Sequence, residues 1–592
     1  STELPTSPTG LHYEGFSQSS STRNDEEPAG GGLLFSFLMP SHFPPWTSWH
    51  SEALAFAGAM VLAWRAATLR IFSPSEDFLC LPRVILAPVA FGAIAMLQWG
   101  GGLLTFGGNA MVIFFYAFLC VASLSLGFTQ CSTTVAEATD QHPPDLLLAL
   151  AWCLLAAAVC SAFIGFCQVF QLWETAEVIA RMGSLRRPGG NLGQTNHLAT
   201  LLVIGMASAV YLQLRQQWTS GTTALIALFL GAGIAATESR TGLLSLLALS
   251  AWWLWKQPHI APRMPRSGAI GLTAAMVAMF LFWPTLFNAV HMMGDGAIES
   301  RLSSLNDTRL AIWAQLGEAA LLKPWWGWGI NQTAQAHHAV AHLNGASAPF
   351  TFAHNLLLDL ALWVGLPLTG VFMALAATWA WRRTTATRAL TPWYGLAVAL
   401  PVAVHSMLEY PFAYAYFLVP VMLGIGVAEG ALGGRVWLRL RPRTAGGLLL
   451  VTTSLMAWSV AEYIKAEEDY RVARFEMLRI GATPSAYERP NIAMLTQLGA
   501  LLEGIRLPLT SDMPASDLEL LRAVALTNPL PTVKYRYAMA LALNERPADA
   551  TRQIQVLRAQ HGEIDIAYFC DQLRHALQEK NAWQPECALA VP

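Results

Sequence analysis

Charge is what this 592-residue chain has least of. Asp, Glu, Lys and Arg together make up 12% of it, against 54% hydrophobic residues and a mean hydropathy of +0.41. A soluble domain carries about twice that charge, so a soluble globular protein is excluded. The balance is near neutral, with 36 basic and 38 acidic residues, which excludes the basic face that nucleic-acid binding requires. Metal-ligand spacing is missing as well. Of the 8 cysteines, Cys153, Cys160 and Cys167 recur at heptad intervals in one apolar run, where thiols act as small packing groups. His337, His338 and His342 lack the His-x-x-x-His geometry of a helical zinc site, so no metal is expected. Cys570 and Cys587 share a polar segment and could pair in an oxidising compartment. Residues 1–31 lack a basic stretch leading into an apolar core, so no cleavable signal is expected. Polar and rich in Ser, Thr and Gly, they are expected to be a disordered leader.

What the chain has in abundance is long apolar runs. A membrane span needs about 20 apolar residues, and twelve candidates are found: 52–70, 84–104, 109–129, 145–172, 197–214, 222–238, 241–256, 268–289, 356–380, 393–408, 412–430 and 445–464. Gly32–Pro40 is too short and reads as a re-entrant or partial segment. The expected fold is an all-α polytopic membrane protein of about 12 transmembrane helices over residues 32–464. A large polar loop spans 291–355 and a small helical domain spans 465–592. In that domain Asp517–Asn528, Pro531–Asn544 and Pro547–His561 read as antiparallel helices. The small residues Ala538, Ala540 and Ala542 suggest tetratricopeptide-like packing.

Positive charge orients the bundle. One side carries Arg65, Arg70, Arg83, Arg215, Lys256, Arg263, Arg266, Arg382, Arg383, Arg388, Arg435, Arg439, Arg441 and Arg443. The opposite side has half as many over longer loops: Arg181, Arg186, Arg187, Arg240, Arg301, Arg309 and Lys323. The first side is therefore cytoplasmic. The loop 291–355, the segment 173–196 and the C-terminal 465–592 face outward, which in a bacterium is the periplasm. Outer cations are not needed for topology, so an anionic ligand is a reason for them, although loop charges also meet lipid phosphates.

Four outward-facing constellations carry chemistry. Arg186–His197 (RRPGGNLGQTNH) combines arginines and flexible glycines that suit an anion with Gln194 and Asn196 as hydrogen-bonding groups. Glu238-Ser239-Arg240 forms a tight turn, and an ionised pair at membrane depth is costly unless it has a function or fixes the hairpin. The large loop contributes Arg301, Arg309, Trp313 and, at its end, His354. Histidine is suited to accept a hydroxyl proton near neutral pH. His405–Pro411 (HSMLEYP) adds His405, Glu409 and Tyr410 for substrate positioning, or as part of an interfacial aromatic belt.

Taken together these segments resemble a known family. His354-Asn355, nine residues, then Gly365 is similar to the histidine motif of the O-antigen ligase/polymerase superfamily. Leu368, Thr369 and Gly370 follow, where a small residue is expected in place of Leu368. Pro40–Glu52 (PSHFPPWTSWHSE), Gly190–Ala199 and His405–Pro411 resemble the bacterial protein O-oligosaccharyltransferases, the PglL-type pilin-glycosylating ligases. The resemblance covers nearly all of 40–590. It implies a GT-C-like glycosyltransferase fold in the bacterial inner membrane. The implied reaction moves an oligosaccharide from undecaprenyl pyrophosphate to a Ser or Thr hydroxyl of a secreted protein, often a pilin. No cofactor, nucleotide sugar or metal is implied. On that reading His354 is the general base, Arg187, Arg240, Arg301 and Arg309 neutralise the pyrophosphate, and Gln194 and Tyr410 carry over as functional residues. The partners are the lipid-linked donor, the acceptor protein and membrane lipid.

Other readings remain open at this stage. An O-antigen ligase would use a lipid A core sugar as acceptor and an O-antigen polymerase another glycan. A lipid-linked sugar transporter should show internal repeats and charges around a midplane cavity, and neither is evident. A non-catalytic scaffold for pilus assembly would leave His354 and the arginines without a task.

Overall fold

The computed structural model describes residues 27–71, 78–132, 145–172, 177–181, 187–291, 299–344, 348–561 and positions 570, 571, 573–575, 577 and 578. The expected leader falls mostly on residues 1–26, outside the described residues, while residues from Glu27 onward are helical. Among the described residues 27–561, twenty α-helices follow in order. They are α1 (Glu27–Leu38), α2 (Trp49–Ile71), α3 (Leu86–Gly100), α4 (Gly107–Ser132), α5 (Asp145–Val169), α6 (Thr195–Leu214), α7 (Ser220–Thr237), α8 (Arg240–Ile260), α9 (Arg266–His291) and α10 (Glu299–Leu322). Next come α11 (Thr333–Ala341), α12 (Leu356–Val364), α13 (Leu366–Ala386), α14 (Leu390–Ser406), α15 (Ala415–Ala431) and α16 (Pro442–Leu478). The chain continues through α17 (Thr496–Arg506), α18 (Ala515–Thr527), α19 (Pro531–Leu543) and α20 (Pro547–His561).

The chain is a multi-pass membrane protein. Among the described residues eight helical segments are long and apolar enough to cross a membrane: α2, Arg83–Gly100 (ending in α3), α4, α5, α6, α7, α9 and α16. The four other expected spans take different forms. The run 356–380 is divided by Gly365, whose φ of 81° ends α12 and starts α13. The helices α14 and α15 have 17 residues each, and α8 closes on the polar residues Lys256, Gln257 and His259. Gly32–Pro40 corresponds to α1, a short helix whose Leu33 and Phe37 are buried in the main core.

That core is built mainly by α1, α2, α5 to α8, α14 and α15, with Leu119 and Leu126 of α4, Met276 of α9 and Leu449 of α16. Lipid tails are as apolar as leucine, so helices in a membrane associate through close packing of small residues. The crossing of α14 and α15 shows this. A Cβ on Gly395 would lie 2.3 Å from the Gly424 carbonyl oxygen, and one on Gly424 2.5 Å from that of Gly395. A short antiparallel ribbon, β1 (Leu79–Pro82) with β2 (Val436–Leu440), departs from the all-helical expectation. It joins two segments that the charge pattern places on the same, arginine-rich side.

The C-terminal helices lie close to their expected limits. The helix α16 runs 37 residues without a break, from the apolar half into the polar one. Its Glu462 carboxylate accepts from the backbone N–H groups of Ala493, Met494 and Leu495 just before α17. Its Asp469 and Glu476 take up the guanidinium of Arg506, at 2.6 Å each. Cys570 is disulfide-bonded, and Cys587, its candidate partner, lies outside the described residues.

The large loop docks on this domain through α11. Lys534 on α19, 1% exposed, donates to Gln560 on α20 and lies 3.5 Å from His338 Nδ1. Gln553 reaches His338 Nε2 at 3.2 Å, and Gln560 reaches His337 Nδ1 at 3.1 Å. Burial, with the Lys534 charge, lowers His337 to about 4 and His338 to about 3. Both rings are therefore neutral when docked, whereas a freed ring titrates near its ordinary 6.5. Only the undocked state takes up protons on these rings as pH falls below that value, so their contribution to docking is full above pH 6.5 and is lost progressively toward pH 3. Amide hydrogen exchange in α20, corrected for intrinsic rates, should accelerate between pH 7 and 5, and His338→Asn should blunt that response.

Candidate active site

Four segments far apart in sequence meet at one carboxylate. Glu409 lies in the turn between α14 and α15, 4% exposed. Its Oε1 accepts from Arg309 Nη2 at 2.6 Å and from Asn196 Nδ2 at 3.3 Å, and its Oε2 is bonded to His354 Nδ1. Asn196 is fixed in turn by Ser239 Oγ, which donates to Asn196 Oδ1 at 2.6 Å and accepts from Gly242 N–H. All four constellations read from the sequence thus contribute to a single network.

Electrostatics settle the proton positions. Burial pushes the Glu409 carboxyl up. The His354 hydrogen bond and the charges of His354, Arg309 and His405 outweigh burial, so the group is held below its ordinary value. An ionised carboxylate only accepts, so His354 Nδ1 carries a hydrogen, and the tautomer with that one hydrogen has its lone pair at Nε2. The depressed carboxyl contributes stability above the ordinary carboxylate range, lost only as pH falls through the lower folded value. Tyr410 crosses the His354 ring edge to face, with centroids 4.9 Å apart, and stacks on Phe352 at 4.7 Å. Burial and the Glu409 charge raise its phenol, which stays protonated.

The residues flanking His354 explain the motif spacing. Asn355 accepts from Leu357 and Leu358 N–H, capping α12, and its amide donates to Met407 O beside the Glu409 turn. Gly365 lies where a Cβ would come within 2.4 Å of the Trp325 carbonyl oxygen, so the tryptophan-rich turn 323–329 (KPWWGWG) can close against the α12–α13 junction. His354 itself has φ of 55°, a left-handed conformation that costs a non-glycine residue roughly 1–2 kcal/mol.

The remaining expected residues are distributed as follows. Arg309 is 40% exposed at its side chain while bonded to Glu409. Arg187 donates through Nε to Thr237 O at 2.9 Å and through Nη2 to Thr195 Oγ1 at 3.2 Å, tying the Gly-rich loop to the α7 end. Arg240 is exposed at the start of α8, and Glu238 ends α7 in a left-handed conformation. Gln194, partly exposed, immediately precedes α6. Arg301 falls in α10, but its side chain is outside the described residues. His405 differs from the expectation of substrate contact. It is completely buried on α14 with Nδ1 2.8 Å from Thr200 Oγ1, so it packs behind Glu409.

Sequence reasoning missed the residues that hold the Gly-rich loop. Gln168 brackets Gly190 with one bond to its N–H and one to its carbonyl. Asn191 accepts from Ala180 N–H and donates to Leu38 O. His42, in the Pro40–Glu52 segment, reaches Asn191 O at 2.8 Å. Polar residues at the end of apolar runs were the available signal.

The chain matches three families. One described as O-antigen ligase covers residues 225–373, one described as protein glycosylation ligase covers 188–212, and the virulence factor membrane-bound polymerase C-terminal family covers 393–569. His354, Asn196 and Glu409 fall in one matched segment each. The chain is similar to a general O-oligosaccharyltransferase of Acinetobacter baylyi, 25% identical over 539 residues, which is 89% of this chain and 91% of the relative. It is also similar to a ComP-specific O-oligosaccharyltransferase of that organism, 27% identical over 242 residues, 40% of this chain and 42% of the relative. No solved structure matches the chain. The resemblance drawn from the sequence motifs is borne out.

Glu409→Gln keeps a polar partner for His354 but removes the charge. In a glycan-transfer assay it should lower turnover about 10²–10⁴-fold, as loss of the charge behind a catalytic histidine does elsewhere, with the thermal transition retained.

Proposed function

We propose that this protein transfers a preassembled oligosaccharide from undecaprenyl pyrophosphate to Ser or Thr hydroxyls of a secreted protein such as a pilin, at the periplasmic face of the inner membrane. The observation that carries this reading is the His354–Glu409 pair, with Arg309 on the same carboxylate and Arg240 exposed at the neighbouring helix start. The oligosaccharyltransferase names of both relatives support it. The Cys570 disulfide supports an oxidising, outward location for the C-terminal domain.

The chemistry is a single displacement. The acceptor hydroxyl oxygen forms a bond to the anomeric carbon of the donor sugar while its proton passes to His354 Nε2. The bond from that carbon to the pyrophosphate oxygen breaks, and its electron pair leaves with the pyrophosphate. Glu409 stabilises the imidazolium through Nδ1. Arg187, Arg240, Arg301 and Arg309 meet the developing negative charge in place of a metal. Gln194, Asn196, Glu238 and Tyr410 line the approach and position the substrates. One displacement inverts the anomeric configuration.

A second reading has specific support, since two of the matched families are described as O-antigen ligase and membrane-bound polymerase. Their acceptor would be a glycan. Co-expression with a lipid-linked glycan pathway and a candidate pilin separates the two. The expected result is a glycan mass shift on the pilin, persisting for purified enzyme in EDTA and abolished by His354→Ala, for which loss of the base costs about 10²–10⁴-fold. A shift on lipopolysaccharide alone, or wild-type transfer by His354→Ala, overturns the proposal.

The C-terminal helices stand beside the catalytic loop and are placed to present a folded acceptor. Deleting residues 490–592 should therefore impair transfer to folded pilin more than transfer to a short acceptor peptide. Equal losses on both, together with a lower melting temperature, would mean that the domain only stabilises the bundle.

A further inference from the structure

Asp359 is a completely buried carboxylate in an otherwise apolar helix, LLLDLALWV. Burying such a group is costly unless its hydrogen bonds do something that an apolar side chain cannot. Capping α12 is not that task, because Asn355 already performs it. Asp359 Oδ1 instead reaches back to accept from Ala353 N–H at 2.8 Å and from Thr333 Oγ1, also at 2.8 Å. On the other side of the same residue, Trp313 Nε1 donates to Ala353 O at 2.9 Å. Thr333 is itself oriented by Trp363 Nε1 at 2.8 Å. Ala353 is therefore gripped at both its donor and its acceptor by side chains from α10 and α12, with α11 supporting.

The residue that follows this grip is His354. Its left-handed backbone is unfavourable for a side chain with a Cβ, so it persists only where neighbouring structure imposes it. Asn355, the next residue, is fixed by its own cap and by Met407 O. Between two anchored neighbours, His354 has one direction in which to point, toward Glu409.

We propose that Asp359 and Trp313 act as positioning residues, clamping Ala353 so that His354 is held in the conformation that brings Nδ1 to Glu409 and leaves Nε2 open. The inference rests on His354 serving as the base. Asp359 hydrogen-bonds no reacting atom and acts through the backbone of residue 353. Releasing the clamp lets the backbone at His354 relax toward negative φ and carries the ring away from Glu409.

The test compares purified variants by kcat, by KM for lipid-linked donor and by thermal melting. Asp359→Leu and Trp313→Phe should each lower kcat about 10²-fold, the cost of displacing a catalytic group by about 1 Å, with donor KM unchanged. Asp359→Asn keeps an acceptor oxygen for Ala353 N–H and should restore most of the rate, which a purely structural carboxylate would not require. In a His354→Ala background, adding Asp359→Leu should cause no further loss. If Asp359→Leu fails to fold, Trp313→Phe, which keeps most of the ring volume, decides alone. Wild-type kcat in the clamp variants, or an additional loss without the His354 ring, overturns the positioning role. Absence of transfer by the wild-type enzyme would instead overturn the functional reading, and this inference with it.

Discussion

Glu409 is a nearly buried carboxylate at the mouth of a membrane bundle, and the arrangement around it keeps it ionised there. An isolated charge in such a place would neutralise itself or unfold its surroundings. Arg309, Asn196 and His354 divide its two oxygens among them, and each comes from a segment whose conformation is fixed elsewhere. Asn196 depends on Ser239, and through it on the α7–α8 turn. His354 depends on the clamped residue before it and on the helix cap after it. The network couples three connections between helices, at Ser239, His354 and Glu409, with the helices α6 and α10, so a shift in one is felt at His354.

Two of the arginines are tied into this structure by their own hydrogen bonds. Arg309 and Arg187 spend hydrogen bonds on the protein, to Glu409 in one case and to Thr237 and Thr195 in the other. They hold loops in place as well as carrying positive charge to the site. A guanidinium carries five N–H donors, so one or two bonds to the protein leave others for an anion. Arg240 is exposed at its helix start, where a phosphate arriving from the membrane surface can meet it.

The amino-acid sequence carried the elements well where periodicity or spacing is local. Apolar runs located the spans, the α18 to α20 limits fell within two residues of expectation, and His354-Asn355 with Gly365 marked the functional loop. What it could not carry were pairings at long separation. Glu409 stands 213 residues from Asn196 and 100 from Arg309, and nothing local distinguishes it from an interfacial carboxylate. His405 shows the converse. Its neighbours in sequence suggested a substrate contact, but it belongs to the last turn of α14 while Glu409 belongs to the following loop, and only the latter bonds His354 and Arg309. The run 356–380 was apolar enough to read as one span. The positive φ at Gly365, a property of the turn packed against it, divides it.

The unbroken α16 has a mechanical consequence. At 1.5 Å per residue its 37 residues extend about 55 Å, well beyond a hydrocarbon core of about 30 Å. The part that leaves the membrane is cross-tied to the C-terminal helices by Glu462, Asp469 and Glu476. That domain is therefore tied to one continuous helix, with no break in α16 between its apolar half and these ties. In the proposed reaction a domain held in this way leans little toward its acceptor. Adaptability must come from the other side of the encounter, so the hydroxyl that receives sugar belongs on a slack stretch of the acceptor chain, long enough to reach down to the base.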